Sequence, residues 1–145
     1  PVIYQSEHSF QMGRGTILRE GSSIALIGTG AMVHEMLVAA DHLKDLNPWV
    51  VDIHTLKPLD RALIKSLGNT CRWIFTAEDH STIGGLGTAV GTALAEIGGG
   101  ARLHRFGLDD IYGESGTPSE LYEKYGFTGK QLAEKVRKQI NVGSL

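Results

Sequence analysis

Three ionisable residues in a row, Glu78-Asp79-His80, stand just ahead of a glycine cluster, Gly84-Gly85-Leu86-Gly87. Carboxylates beside an imidazole tune its protonation near neutrality, so His80 is the candidate for holding or moving a proton. The glycines let backbone pass close to another surface, and a helix opening after them would present N–H groups to an anion. For Glu78, Asp79, Gly84, Gly85 and Gly87 two readings stand side by side. One is a chemically active loop at the end of a strand. The other is a loop whose polar groups bond to backbone or to a partner subunit. A second constellation is Gly28-Thr-Gly-Ala-Met-Val33, with Asp52 roughly 20 residues on, where a dinucleotide site carries its ribose-binding acid. Val33 stands where that fingerprint has its last glycine, so a tight strand-to-helix turn competes with a nucleotide site.

Other chemistries find little support. The six histidines, His8, His34, His42, His54, His80 and His104, show no metal-ligand spacing; His34 and His42 lie two turns apart on one expected helix. Gly113-Glu-Ser-Gly116 lacks both the Gly-x-Ser-x-Gly spacing and the preceding strand of a nucleophile elbow. Cys71 is the single cysteine, which excludes an internal disulfide and fits a reducing, cytoplasmic setting. Fourteen basic against sixteen acidic residues leave a net charge of −2, with no basic field for nucleic acid. No apolar run approaches the roughly 18–20 residues needed to span a bilayer. A start at Pro1, without Met or an apolar leader, suggests a processed chain or a segment of something longer.

These residues need a frame, and the hydrophobic pattern supplies one. Ile24-Ala-Leu-Ile-Gly28 is a short continuous apolar run, expected of a strand buried on both faces. Ala31 to Leu46 carries apolar residues at helical spacing, ended by Asn47-Pro48. Trp49–Ile53, Arg72–Thr76 and Arg102–Phe106 read as further core strands, and Thr16–Arg19 as a short strand in an otherwise turn-rich lead-in over residues 1–23. Asp60 caps a helix running through Leu67, with Gly68 as its expected stop. A helix rich in small residues spans Leu86–Ile97. Thr117-Pro-Ser-Glu120 and Thr128-Gly-Lys-Gln131 open two last helices with capping-box patterns. In the second, Leu132, Val136 and Ile140 form an apolar stripe, leaving Lys130, Glu134, Lys135 and Lys138 to solvent. Strands alternating with helices predict one three-layer α/β/α domain over residues 1–145, with a mostly parallel sheet.

Five segments, in order, resemble the carboxyl-terminal domain of the transketolase family. They are Phe10–Gly21, Ala25-Leu-Ile-Gly-Thr-Gly-Ala-Met32, Asp52-Ile-His-Thr-Leu-Lys-Pro-Leu-Asp60, Thr76–Gly87, and Gly113–Gly116 followed by Glu120–Thr128. The resemblance implies five strands with one antiparallel. It also implies a thiamine-diphosphate enzyme that moves a two-carbon ketol unit between sugar phosphates. In that family the cofactor and its Mg are held between two other domains, and this chain has no Gly-Asp-Gly followed by paired Asn to hold them. The domain is therefore expected to bind no cofactor itself and to be inactive alone. Its expected partners are the N-terminal cofactor-binding domains or subunit, within a homodimer, where it supports assembly and the rim of the active-site cleft. Deoxyxylulose-phosphate synthases and 2-oxo-acid dehydrogenase β subunits share the domain and remain alternatives, as does a freestanding interaction or regulatory module.

Overall fold

Every residue of Ile24–Gly28 is buried. A strand without a polar face has to lie where helices cover both sides of a sheet. In the computed structural model, which describes residues 1–4 and 8–142, this strand is β2 and occupies the middle of the sheet. Parallel neighbours flank it: β3 (Trp49–Asp52) on one side and β4 (Trp73–Ser81) on the other. β5 (Arg102–Leu108) pairs parallel to β4, and β1 (Thr16–Arg19) pairs antiparallel to β3. The order β1-β3-β2-β4-β5 is the expected five-stranded, mostly parallel sheet with one antiparallel strand.

Alternation along the strands divides the core in two. Leu26, Trp73, Phe75 and Phe106 face α1 (Met32–His42) and α5 (Gly129–Val142). Ala25, Ile27, Val51 and Ile74 face α2 (Arg61–Thr70) and α3 (Leu86–Ile97). The result is a three-layer α/β/α arrangement. After β2 the chain crosses to β3 through α1, whereas after β4 it moves the other way through α3. The carboxyl ends of β2 and β4 therefore flank the point where the winding reverses, the place where open parallel sheets receive ligands.

The signed helix starts form as read. Asp60 accepts from the Leu63 N–H at 3.0 Å. Thr117 and Glu120 complete a reciprocal capping box at the head of α4 (Pro118–Tyr125). At α5, Gln131 Oε1 accepts from the Thr128 N–H, and Thr128 Oγ1 from that of Gln131. Four boundaries differ from expectation by more than one residue. The helix from Ala31 does not continue to Leu46: it stops at His42, and a separate 3-10 turn covers Lys44–Leu46, closed by Asn47 with φ of 43°. Gly68 does not end α2, which continues to Thr70. A Cβ on Gly68 would lie 2.7 Å from Leu94 Cδ2, so this glycine permits close packing of α2 on α3. β5 runs on to Leu108. The fourth difference, at the end of β4, shapes the site.

Candidate functional site

β4 extends five residues beyond Thr76, so Glu78, Asp79 and His80 lie in the strand itself and not in a following loop. Pairing with β5 explains the extension. Ala77 pairs with Phe106, the register then shifts, and Ser81 pairs with Leu108. With a side-chain period of two, Glu78 and His80 turn toward α3 while Asp79 turns to the opposite face.

Glu78 is fully buried, which an isolated carboxylate does not tolerate. Its oxygens accept from the Leu86 N–H at 2.6 Å and the Gly87 N–H at 2.9 Å. These are the first N–H groups of α3, whose N-cap, Gly85, has no side chain to offer them. The positive end of the helix dipole is thus met from a neighbouring strand. An outside anion was one expectation for this helix end; the chain's own Glu78 fills that place instead.

His80 is half exposed, with Nε2 3.3 Å from Glu78 Oε2 and Nδ1 3.0 Å from the Ser81 carbonyl oxygen. Both ring nitrogens face acceptors. A neutral imidazole has one N–H, so which of the two contacts it donates to depends on the tautomer. While these contacts hold, both ring nitrogens are engaged within the chain, and the exposed edge of the ring is presented to solvent. Asp79 accepts from the Tyr122 hydroxyl at 3.3 Å. Partial burial, reinforced by the charge of Asp79, pushes the Tyr122 phenol up to about 12.

The glycines have specific duties here. Gly84 has φ of +79°, a left-handed conformation that side chains resist. A Cβ on Gly85 would collide with the Glu78 carboxylate and the His80 ring, and one on Gly87 would lie 2.9 Å from Thr76 Oγ1. Close approach of the helix start to β4 is what these residues permit. Sequence reasoning missed the second tie. Thr88 Oγ1 accepts from the Gly84 N–H and donates to the Thr82 carbonyl, which also accepts from Arg105 at 3.0 Å. An arginine in a mostly apolar strand was the available signal for it. Ile83 stands 68% exposed at the crest of this turn.

The neighbouring turn after β2 is built differently. A Cβ on Gly28 would lie 2.8 Å from Val33 Cα, so the glycine lets α1 press onto the strand. α1 has no side-chain cap. Asp52 is buried and turned to the lead-in, where Tyr4 donates to Oδ2 at 2.6 Å; Oδ1 has no partner among the described residues. The acid is thus held by a tyrosine of the chain itself, which favours the turn reading over a ribose site. Cys71 is buried and its thiol is pushed up to about 11, as befits a packed residue. No group of three His, Cys, Asp or Glu side chains among the described residues is placed to hold a metal ion. No helix among them is long and apolar enough to cross a membrane.

Against this geometry the comparisons with known proteins speak directly. Residues 13–132 match the family model described as the C-terminal domain of transketolase. A protein of Methanocaldococcus jannaschii, named provisionally as a transketolase C-terminal section, is 36% identical over 143 residues, covering 96% of this chain and 44% of its own. A 1-deoxy-D-xylulose-5-phosphate synthase of Chlorobaculum tepidum is 39% identical over 127 residues, covering 86% of this chain and 20% of its own. A solved structure described as a split gene transketolase, an inactive beta4 tetramer, superposes with a TM-score of 0.88 at 38% identity, over 95% of this chain and 46% of the other. The chain spans less than half the length of each of these relatives. With the matched segment running from the lead-in strand to α5 and the five-stranded sheet reproduced in order, this chain belongs to the transketolase C-terminal domain family.

Proposed function

We propose that the chain is the carboxyl-terminal part of a transketolase that moves a two-carbon ketol unit between sugar phosphates. In this reading it works with N-terminal cofactor-binding domains or a separate subunit, in a cytoplasmic homodimer. Its own part is assembly and the rim of the cleft. The observation that carries the reading is the fixed ridge of His80, Ile83 and Gly84 at the carboxyl end of β4, held from behind by Glu78. Such a ridge is held in place, partly apolar and polar at one point, which suits a surface that docks and then meets a polar substrate. Thiamine diphosphate and Mg would belong to the other domains. This chain's sequence has no Gly-Asp-Gly followed by paired Asn to hold them, so no step is assigned through that group.

His80 takes a supporting role here, giving a hydrogen bond to a substrate or partner oxygen from a ring nitrogen released from Glu78 or from the Ser81 carbonyl. Its other expected use, as a base, requires first breaking the contact with Glu78. Reconstitution tests the reading: the chain is mixed with the cofactor-binding domains and assayed for ketol transfer. Transfer that depends on both components supports it, and full activity without this chain ends it. His80→Ala in the reconstituted enzyme is expected to lower turnover by about 10²-fold with assembly intact. Unchanged turnover removes His80 from the chemistry, and lost assembly assigns it to the interface. The similarity to a deoxyxylulose-phosphate synthase sustains a second reading, that the complete protein makes 1-deoxy-D-xylulose 5-phosphate; assaying the same mixture for that product separates the two.

A further inference from the structure

A groove of about 310 Å³ runs along the open edge of the sheet between β5 and α5. β5 has no strand on its outer side among the described residues. Arg102 turns its N–H inward to the Arg72 carbonyl, so by alternation the peptide group of Arg105 points to the open edge, where it lines the groove. The Arg105 side chain leaves on the other face toward Thr82 and Thr88. Opposite stand Lys135, Lys138 and Gln139 of α5, with His104 on the near wall and Asp109 at one end.

The charges in this groove are unbalanced. Lys135 is anchored by the carbonyl oxygens of Gly126 at 2.8 Å and Tyr125 at 3.3 Å, and lies 5.7 Å over the Phe127 ring. All three partners are neutral. An ammonium has three donors, so one remains for a ligand. Partial burial pushes the Lys135 pKa down, opposed by Asp109, and burial does the same to His104, which is also opposed by Asp109. Lys138 and Gln139 make no hydrogen bond or ion pair among the described residues. Two ammonium groups thus face one carboxylate across a groove that already holds an outward peptide N–H.

We propose that this groove binds the phosphoryl group of a small phosphorylated hydroxy compound. The dianion lies between Lys135, Lys138 and the Arg105 N–H, which supply charge-assisted hydrogen bonds that water gives only weakly to a half-enclosed ion. Gln139 and Asp109 stand where hydroxyl groups of the same ligand would meet them. The volume lies at the lower end of small-molecule sites, which run from about 300 to 1,000 Å³. The groove lies against α5, whereas His80 faces α3 across the sheet.

The test is an NMR titration of the 145-residue chain, observing backbone amides at constant ionic strength in chloride. Glycerol 3-phosphate and inorganic phosphate are the two probes. Saturating shifts at Arg105, Gly107 and Lys135 are expected, with Lys138→Met weakening binding by about 10-fold and Lys135→Met by at least that much. Tighter binding of glycerol 3-phosphate assigns the site to a phosphorylated hydroxy compound; saturable binding of inorganic phosphate alone assigns it to the free ion and overturns the hydroxyl contacts. Shifts that fail to saturate with either probe, or that survive both substitutions unchanged, overturn the site altogether. Lys138 makes no hydrogen bond or ion pair among the described residues, so its variant keeps the test independent of folding.

Discussion

Two strand-to-helix turns sit side by side at the carboxyl end of this sheet, one after β2 and one after β4, and each pairs glycines with an acid. They use the same ingredients to opposite effect. After β4, the acid is on the strand itself: Glu78 reaches forward to the first N–H groups of α3 and leaves His80 fixed at the surface. After β2, the helix start has no carboxylate cap, and the nearby acid, Asp52, is one strand away and tied to Tyr4 of the lead-in. A glycine-rich turn with an acid is therefore not one motif. What matters is whether the acid's strand position aims it at the helix or away from it.

The comparison is most easily broken at Glu78. Glu78→Ala strips two buried N–H groups of their acceptor and is expected to cost about 3–5 kcal/mol, read by chemical denaturation. A loss below about 1 kcal/mol would mean that the two turns are equivalent after all. Gly28→Ala tests the other turn by its own logic. The added methyl meets the backbone of Val33 and Met32, which cannot move as a side-chain tip can, so about 2 kcal/mol should be lost. Asp52→Asn sharpens the contrast. With one oxygen already unpartnered and the other reached by a neutral phenol, its stability change should stay within about 1 kcal/mol, far less than at Glu78.

The smallest effect is a titration. Tyr4 and Tyr122 each donate to one of the exposed or turned-away acids, Asp52 and Asp79, and both phenols are raised to about 12, chiefly by burial. A phenol whose folded pKa exceeds its ordinary value near 10 favours the folded state in its neutral form. That contribution is complete below about pH 10 and disappears as the pH rises through about 12. Ultraviolet titration of the folded chain should show both tyrosines ionising late, and Asp52→Asn should bring Tyr4 earlier while leaving Tyr122 in place. Equal movement of both would show that the two regions are electrostatically one.

Much of the frame was legible because it rests on local rules. The all-apolar run of β2, the capping residues Asp60, Thr117 and Thr128, and the small-residue helix α3 announce themselves through patterns of two to four residues. The errors fall where a distant partner decides. Nothing near Thr76 says that β4 continues to Ser81; the pairing of Ser81 with Leu108 says so. Gly68 reads locally as a helix stop, yet Leu94 from another helix explains it. At the candidate site the residue types were readable, and polar groups bonded to backbone were one of the two readings of Glu78. What the sequence did not show is that Glu78 lies in a strand and that the backbone it meets is the start of α3.

The amino-acid sequence by itself determined the family, the order and kind of the elements, and the cluster in which His80 stands, since each follows from residue types at short or fixed spacing. The tertiary structure alone decided which acid meets which helix, that both nitrogens of His80 face oxygens, and that two lysines of α5 lie across a groove from the edge of β5. Those outcomes depend on strand register and on which faces of the sheet the helices cover. A shift of one residue along a strand turns every side chain to the other face, and no local pattern around residue 78 carries that choice.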